Sequence, residues 1–362
     1  MTGPAPAGGE ASAGVVVIGD GAVGSFVGAL IAGSGSGVTL AGRPGKDSRG
    51  TAEIVIRTPD GGTRRARVER AGGTAGLERP ACVVLAVKMP DLVAAIDACR
   101  PWPDAVVVTL QNGLGAEELV MAARPDAPLL AGSLTSPIER DANGTLGWRK
   151  RRGIALARVQ GETAEVEAAV RDALVSGGLP VAVVRDWRAM KWSKLLTNLI
   201  ANAVPALLDE SAADVYADRR LFEVERSQVR EVLAVMQALR LSPLRLPGAD
   251  VRLLALGFRA PASIARPVIR RVVGDARGGK APSLLLHLRA RGGPSESPWL
   301  NGGVARAGLA AGVSTPVNAA LGELMEAAAA DPAAWARTRN RPDALLAAIP
   351  HASITRDAGR GA

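Results

Sequence analysis

The sequence predicts an α/β Rossmann-type N-terminal domain followed by an all-α C-terminal domain, and three observations carry that reading. Short apolar, β-branched runs alternate with helix-like segments as far as about residue 128. A glycine-patterned turn, GDGAVG at 19–24, joins the first such run to the first helix. From Trp187 onward almost every segment has helical spacing. Strands alternating with helices imply a parallel sheet with right-handed crossovers.

Taken in order, VVVI (15–18) is the first strand, and the small-residue stretch SFVGALIAGSG after the turn is the first helix. VTLAG (38–42) is a second buried strand. Residues 43–80 are polar and glycine-rich, with strand-like AEIVIR at 52–57 and RARVER at 65–70. CVVLAVK (82–88) and AVVVTLQ (105–111) are further strands, each followed by a helix, and Pro90 suits the first turn of one of them. Beyond residue 128 the alternation loosens into LLAGSLT, TLGWRK and GIALARV, an amphipathic helix ending in glycine, and PVAVV at 180–184. Helices are expected at 187–208, 214–240, 249–258, 262–273, 281–290, 297–311 and 316–330, with a short terminal one after 331. The expected division is a disordered leader at 1–13, the α/β domain at 14–186, the helical domain at 187–330 and a C-terminal extension at 331–362.

The chain has 362 residues, 48% of them hydrophobic, enough for two domains with cores of their own. No apolar run reaches the roughly 18 residues that suggest a membrane span. Residues 1–13 lack a basic start and an apolar centre, so they do not read as a signal peptide. Cys82 and Cys99 have neither metal nor redox spacing; Cys82 lies in an apolar run, which favours a buried thiol, and a reducing, cytoplasmic setting is expected. The net charge of +9 invites a nucleic-acid reading, but aromatics are only 3% and the densest basic stretch, GWRKRRG at 147–153, is short. Arginine-rich composition is the better explanation, and no nucleic-acid partner is expected. In such a chain the six lysines (46, 88, 150, 191, 194 and 280) stand out, because lysine can give up a proton near neutral pH and arginine cannot.

Gly19, Gly21 and Gly24 form G-x-G-x-x-G between a buried strand and a helix, the context that makes this motif a dinucleotide site. Gly19 allows the tight turn, Gly21 lets backbone approach a pyrophosphate, and Gly24 lets helix pack on strand. The whole loop, with Asp20, Ala22 and Val23, is expected to contact the cofactor. At the end of the second strand an acidic residue would hold a ribose 2′-hydroxyl. This chain has Arg43 there, with Lys46 just beyond, which suits a 2′-phosphate and therefore NADPH. Two later strand ends carry Lys88 and the triplet Gln111, Asn112, Gly113, read as a cofactor and substrate rim.

KWSKLLTNLIANA (191–203) raises a different question. Lys194, Asn198 and Asn202 recur every fourth residue, in one stripe that includes Lys191. Trp192, Leu195, Leu196, Leu199 and Ile200 fill the other side. No charged residue occurs from Leu195 through Leu208, so the stripe is not a solvated face. Asparagine is a mediocre helix former, and surface faces favour Glu, Lys or Arg. The stripe is therefore expected to face a cleft.

These segments resemble the ketopantoate reductase family (2-dehydropantoate 2-reductases). VVVIGDGAVGS, VVLAVKMPD, LQNGLG, KWSKLLTNLIANA and the stretch from PSLLLHLRARGG to STPVN follow the family's order, over residues 14–330. The resemblance implies a Rossmann domain joined to a helical domain that binds substrate and offers a surface for a homodimer, with the active site between them. It implies NADPH as hydride donor, Lys194 as catalytic lysine and Asn198 and Asn202 as its helix asparagines. Lys88 and Asn112 would be the polar residues of the nucleotide side, Asn112 touching cofactor and substrate. Glu296 would be the catalytic glutamate and Ser283 a substrate-binding serine. The chain departs from the family around Ser295, Ser297, Pro298 and Trp299, and His287 stands where an aspartate is common.

The expected activity is reduction of a small 2-oxoacid to a 2-hydroxyacid, 2-dehydropantoate to pantoate first among them. A lysine ammonium can steady the charge that builds on a ketone oxygen during hydride delivery and donate the proton. Two alternatives are a 3-hydroxyacid-type dehydrogenase or imine-forming reductase, and a non-catalytic NADP(H)-binding sensor. No metal site is expected; His287 and His351 are the only histidines.

Overall fold

The computed structural model describes residues 14–43, 49–277, 281–291 and 294–350, with backbone alone for 272–277. The expected leader, Lys46, Lys280 and His351 lie outside the described residues.

Eleven strands form one sheet. They are β1 Val15–Ile18, β2 Val38–Ala41, β3 Gly50–Arg57, β4 Thr63–Ala71, β5 Cys82–Leu85, β6 Val106–Thr109, β7 Leu129–Leu134, β8 Ile138–Arg140, β9 Leu146–Trp148, β10 Ile154–Gln160 and β11 Val181–Val183. Their order is β11-β10-β7-β6-β5-β1-β2-β4-β3-β9-β8. The centre, β4-β2-β1-β5-β6-β7, is parallel. Antiparallel pairing enters at β3–β4, β7–β10 and β8–β9, so the sheet is mixed rather than purely parallel.

Helices α1 (Ala22–Ala32), α2 (Leu92–Ala98), α3 (Ala116–Ala123) and α4 (Ala164–Ser176) cover it. Alternate strand residues go to opposite faces. Val17, Val84 and Val108 pack with Phe26 and Leu30 of α1 and Leu174 of α4. Val16, Val83 and Val107 pack with Leu92 and Ile96 of α2 and Val120 of α3. Burial on both faces is why these strands read as continuous apolar runs. Strand order reverses between β2 and β5 on either side of β1, which opens a crevice at their carboxyl ends.

The second half is helical: α5 Trp187–Leu199, α6 Ala203–Leu208, α7 Ala212–Ala217, α8 Arg219–Ala238, α9 Val251–Arg259, α10 Ala262–Arg277, α11 Ser283–Ala290, α12 Asn301–Ala310, α13 Pro316–Ala330, α14 Pro332–Thr338 and α15 Pro342–Ala348. Three expected helices are divided. The 214–240 segment breaks at Asp218, whose carboxylate caps α8 through the Arg220 N–H. The 297–311 segment becomes a 3-10 turn, Ser297–Trp299, and then α12.

The third break matters most. The helix expected at 187–208 stops at Leu199, and Ala201 takes a left-handed φ of 52°. Pro205 cannot donate to the Ala201 carbonyl, so a continuous helix would lack a bond there. In the structure Pro205 instead sits in the first turn of α6, where that loss costs nothing. The α8 side chains receive the freed backbone groups: Ala201 N–H donates to Glu225 at 2.8 Å, and Gln228 donates to the Leu199 carbonyl at 3.4 Å.

Candidate functional site

The glycine loop has the shape a pyrophosphate requires. Gly19 has φ 114°, and a β-carbon there would lie 2.8 Å from the Ala86 carbonyl carbon. A β-carbon on Gly24 would collide with the Gly19 carbonyl oxygen, whereas one on Gly21 would meet open space. Gly21 caps α1 without a side chain, so the first-turn N–H groups of Ala22, Val23 and Gly24 are left for an anion. The residues present thus fit a dinucleotide. Arg140, itself a cleft-lining residue, braces the loop, donating to the Asp20 carbonyl at 3.0 Å and the Ser25 hydroxyl at 2.6 Å. Nothing in the local sequence pointed to Arg140, which lies 120 residues from Asp20 along the chain.

Arg43 follows β2 as expected, but its guanidinium is exposed and paired with Asp91 at 3.1 Å. The Asp20 carboxylate pairs with Arg70 of β4 at 3.0 Å. Lys88, at the end of β5, is exposed, and its charge bears on Glu296 of the helical half. Burial raises the Glu296 carboxyl above its ordinary value, with Lys88 opposing that shift.

Gln111 is not part of the rim. It is buried and stitches β5 to β6, donating to the Leu85 and Val87 carbonyls at 2.9 and 3.1 Å. Asn112 is the exposed member of the triplet. Gly113 has φ 87°, and a β-carbon on it would lie 2.5 Å from the Trp299 carbonyl oxygen. That carbonyl also accepts from Leu114 N–H at 3.0 Å. The altered Ser295–Trp299 segment therefore docks directly on the turn that carries Asn112.

The two lysines of α5 diverge. Lys191 does not face the cleft. Its side chain is 2% exposed and bonded to Glu117 at 2.8 Å, a carboxylate 1% exposed. Lys191 also donates to the Gln111 and Gly132 carbonyls, both at 3.1 Å. Lys194, one turn on, is half-buried and lines a cleft of about 1530 Å³. Desolvation, with the positive charges of Arg152 and Lys191, pushes its pKa down to about 8. Arg152 belongs to the basic stretch 147–153, whose residues Arg149 and Lys150 also line the cleft.

Asn198, Asn202, Asn112 and Ser283 line the same cleft as Lys194. Asn198 donates to Asn112 across it at 3.1 Å. Asn202, displaced by the break in the helix, is 3% exposed and largely spent on structure. It donates to the Asn198 carbonyl at 2.8 Å and accepts from Leu284 N–H at 3.2 Å, capping α11 beside Ser283. Val23 lines the cleft too, so the wall runs from the glycine loop to the lysine. Glu296 is not among the lining residues and sits at the start of the 3-10 turn. No group of His, Cys, Asp or Glu able to hold a metal occurs among the described residues.

The family profile for "Ketopantoate reductase PanE/ApbA" matches residues 15–161, and the profile for its C-terminal domain matches residues 186–329. The chain belongs to the ketopantoate reductase family. It is an oxidoreductase acting on a CH–OH group, and the family's chemistry uses a nicotinamide cofactor and a small ketoacid. The 2-dehydropantoate 2-reductase of Halobacterium salinarum is 32% identical over 54% of this chain and 65% of its own length. That of Mycobacterium tuberculosis is 29% identical over 88% of this chain and 99% of its own. The PanE/ApbA family ketopantoate reductase of Ralstonia eutropha JMP134 shares the fold, with a TM-score of 0.70 at 23% identity over 87% of this chain and 98% of that one.

Proposed function

We propose that this chain uses NADPH to reduce the ketone of a 2-oxoacid, with 2-dehydropantoate as the first substrate. The observation that carries the reading is Lys194: a half-buried ammonium with a pKa near 8, in a cleft bounded by the uncharged amides of Asn112, Asn198 and Asn202. A bound nicotinamide supplies the hydride. Lys194 steadies the charge growing on the ketone oxygen and donates the proton there. Asn198 and Asn112, already paired with each other, offer amide groups to a carboxylate without adding charge. Ser283 adds a hydroxyl, and Asn202 holds the α11 terminus that carries it. Glu296, whose buried carboxyl feels the Lys88 charge, would have to turn toward the cleft from outside its present lining to grip a substrate hydroxyl. Arg43 takes the 2′-phosphate, exchanging Asp91 for it.

The test is NADPH oxidation followed by absorbance with 2-dehydropantoate and a panel of other 2-oxoacids, beside NADH. Fast turnover of 2-dehydropantoate is expected. Turnover of a different 2-oxoacid alone would move the assignment to that substrate. Binding of NADPH without turnover of any would favour the sensor reading instead.

A further inference from the structure

The corner beyond β2 holds more chemistry than Arg43. Arg43 and Asp91 form one ion pair there, Arg70 and Asp20 another. The second pair is the better sheltered, with side chains 38% and 30% exposed against 79% and 47%. Asp20 stands between the first two loop glycines, and its carboxylate turns toward the end of β2: a β-carbon on Gly42 would lie 3.3 Å from Oδ2. The corner is fixed by backbone bonds. Gly19 N–H donates to Ala41 and Gly42 N–H to Ala71, both at 2.9 Å.

In a dinucleotide fold the carboxyl end of the second strand receives the adenosine ribose. An acid there accepts from a 2′-hydroxyl, and an arginine takes a 2′-phosphate. The acid ordinarily comes from the strand end itself. Here Gly42 leaves that place without a side chain, and Asp20 supplies a carboxylate to it from the loop. Arg70 supplies a cation from β4, whose Arg70 is in register with Leu40.

We propose that the Asp20–Arg70 pair sets the choice between the two nucleotides. Asp20 accepts the ribose 2′-hydroxyl of NADH and opposes a 2′-phosphate; Arg70 offsets that opposition and admits NADPH. The inference rests on the dinucleotide reading of the glycine loop. It goes beyond Arg43 by making selectivity a balance of two opposed charges.

The experiment measures Kd for NADPH and NADH separately, from the fluorescence of the bound reduced nicotinamide, with no substrate present. Asp20→Asn should raise the NADPH-over-NADH affinity ratio about tenfold, and Arg70→Gln should lower it by about as much. The double variant should return close to the wild-type ratio, the sum of two opposed contributions to one preference. Asp20→Ala is the second substitution should Asn disturb the loop. Equal changes for both nucleotides would overturn the proposal and reduce the pair to a loop prop. Wild-type protein that binds neither nucleotide would instead overturn the dinucleotide reading beneath it.

Discussion

At the residue scale, Lys191 and Lys194 differ only in direction, yet direction decides their chemistry. Lys191 meets a buried carboxylate and two carbonyls. Lys194 is desolvated in the cleft wall and faces two like charges, Arg152 and Lys191, which together bring its pKa to about 8. Lys194→Ala should lower turnover by about 100-fold or more, the scale of a lost general acid, while the nucleotide still binds. Near-normal turnover would remove Lys194 from the mechanism. The pH profile follows from the sign of the shift. The acid must carry its proton, so kcat/KM for reduction should be flat below about 8 and fall as pH rises through that value. Lys194→Arg keeps the charge but cannot release a proton in this range, so that limb should vanish along with most of the rate. Much of this was legible in the sequence, because the four-residue spacing of Lys194 and Asn198 survives on α5. The fate of Lys191 was not, since its partner Glu117 lies on α3.

At the element scale, the joints between segments carry the site. Lys191→Met would strand the Glu117 carboxylate in the interior, a change that typically costs about 3–5 kcal/mol. Chemical denaturation should report that loss, and Glu117→Gln added to it should restore part of the stability; an unchanged midpoint would show the pair to be dispensable. Gly113→Ala addresses a different joint. Its φ of 87° and the Trp299 carbonyl oxygen 2.5 Å from the added β-carbon leave no room without parting the two halves. Asn112 would then lose its place against Asn198, and KM for the ketoacid should rise more than kcat falls. A variant with wild-type KM would show that the turn is free to shift. The breaks at Ile200 and Asp218 and the 3-10 turn at Ser297–Trp299 were hidden for the same reason. Apolar periodicity continues through a break when both sides pack into one core, and only Pro205 marked one of them.

For the whole molecule, the C-terminal extension has a structural task. Among the described residues, α14 and α15 close the carboxyl end of α6: Trp335 Nε1 donates to the Ala206 carbonyl, the Thr338 hydroxyl to Leu207 and Asn340 N–H to Leu208, at 3.0, 3.0 and 2.8 Å. Arg289 and Arg339 converge on Asp209, which follows α6. Removing residues 331–362 would leave those buried carbonyls without their present donors, at about 1–3 kcal/mol each. The truncated chain should therefore melt well below the full chain by circular dichroism. An equal melting point would show that the extension is an ornament of the helical half. No helix among the described residues is long and apolar enough to cross a membrane.

The sequence by itself determined what is local. A glycine loop between strand and helix, strands buried on both faces, and a lysine followed one turn on by an asparagine each follow from neighbours within a few residues. Those signals sufficed for the fold class, the family and several residues that line the cleft, Lys194 and Asn198 among them. Only the tertiary structure decided which distant polar groups meet. Arg140 and Asp20 are 120 residues apart, Arg70 and Asp20 are 50, and Lys191 and the Gln111 carbonyl are 80. Such pairs leave no periodicity behind, because their partners are chosen by how the sheet orders its strands and how the helical half seats on it. Burial then set the strength of each interaction, holding Lys191 on the Glu117 carboxylate and lowering the pKa of Lys194.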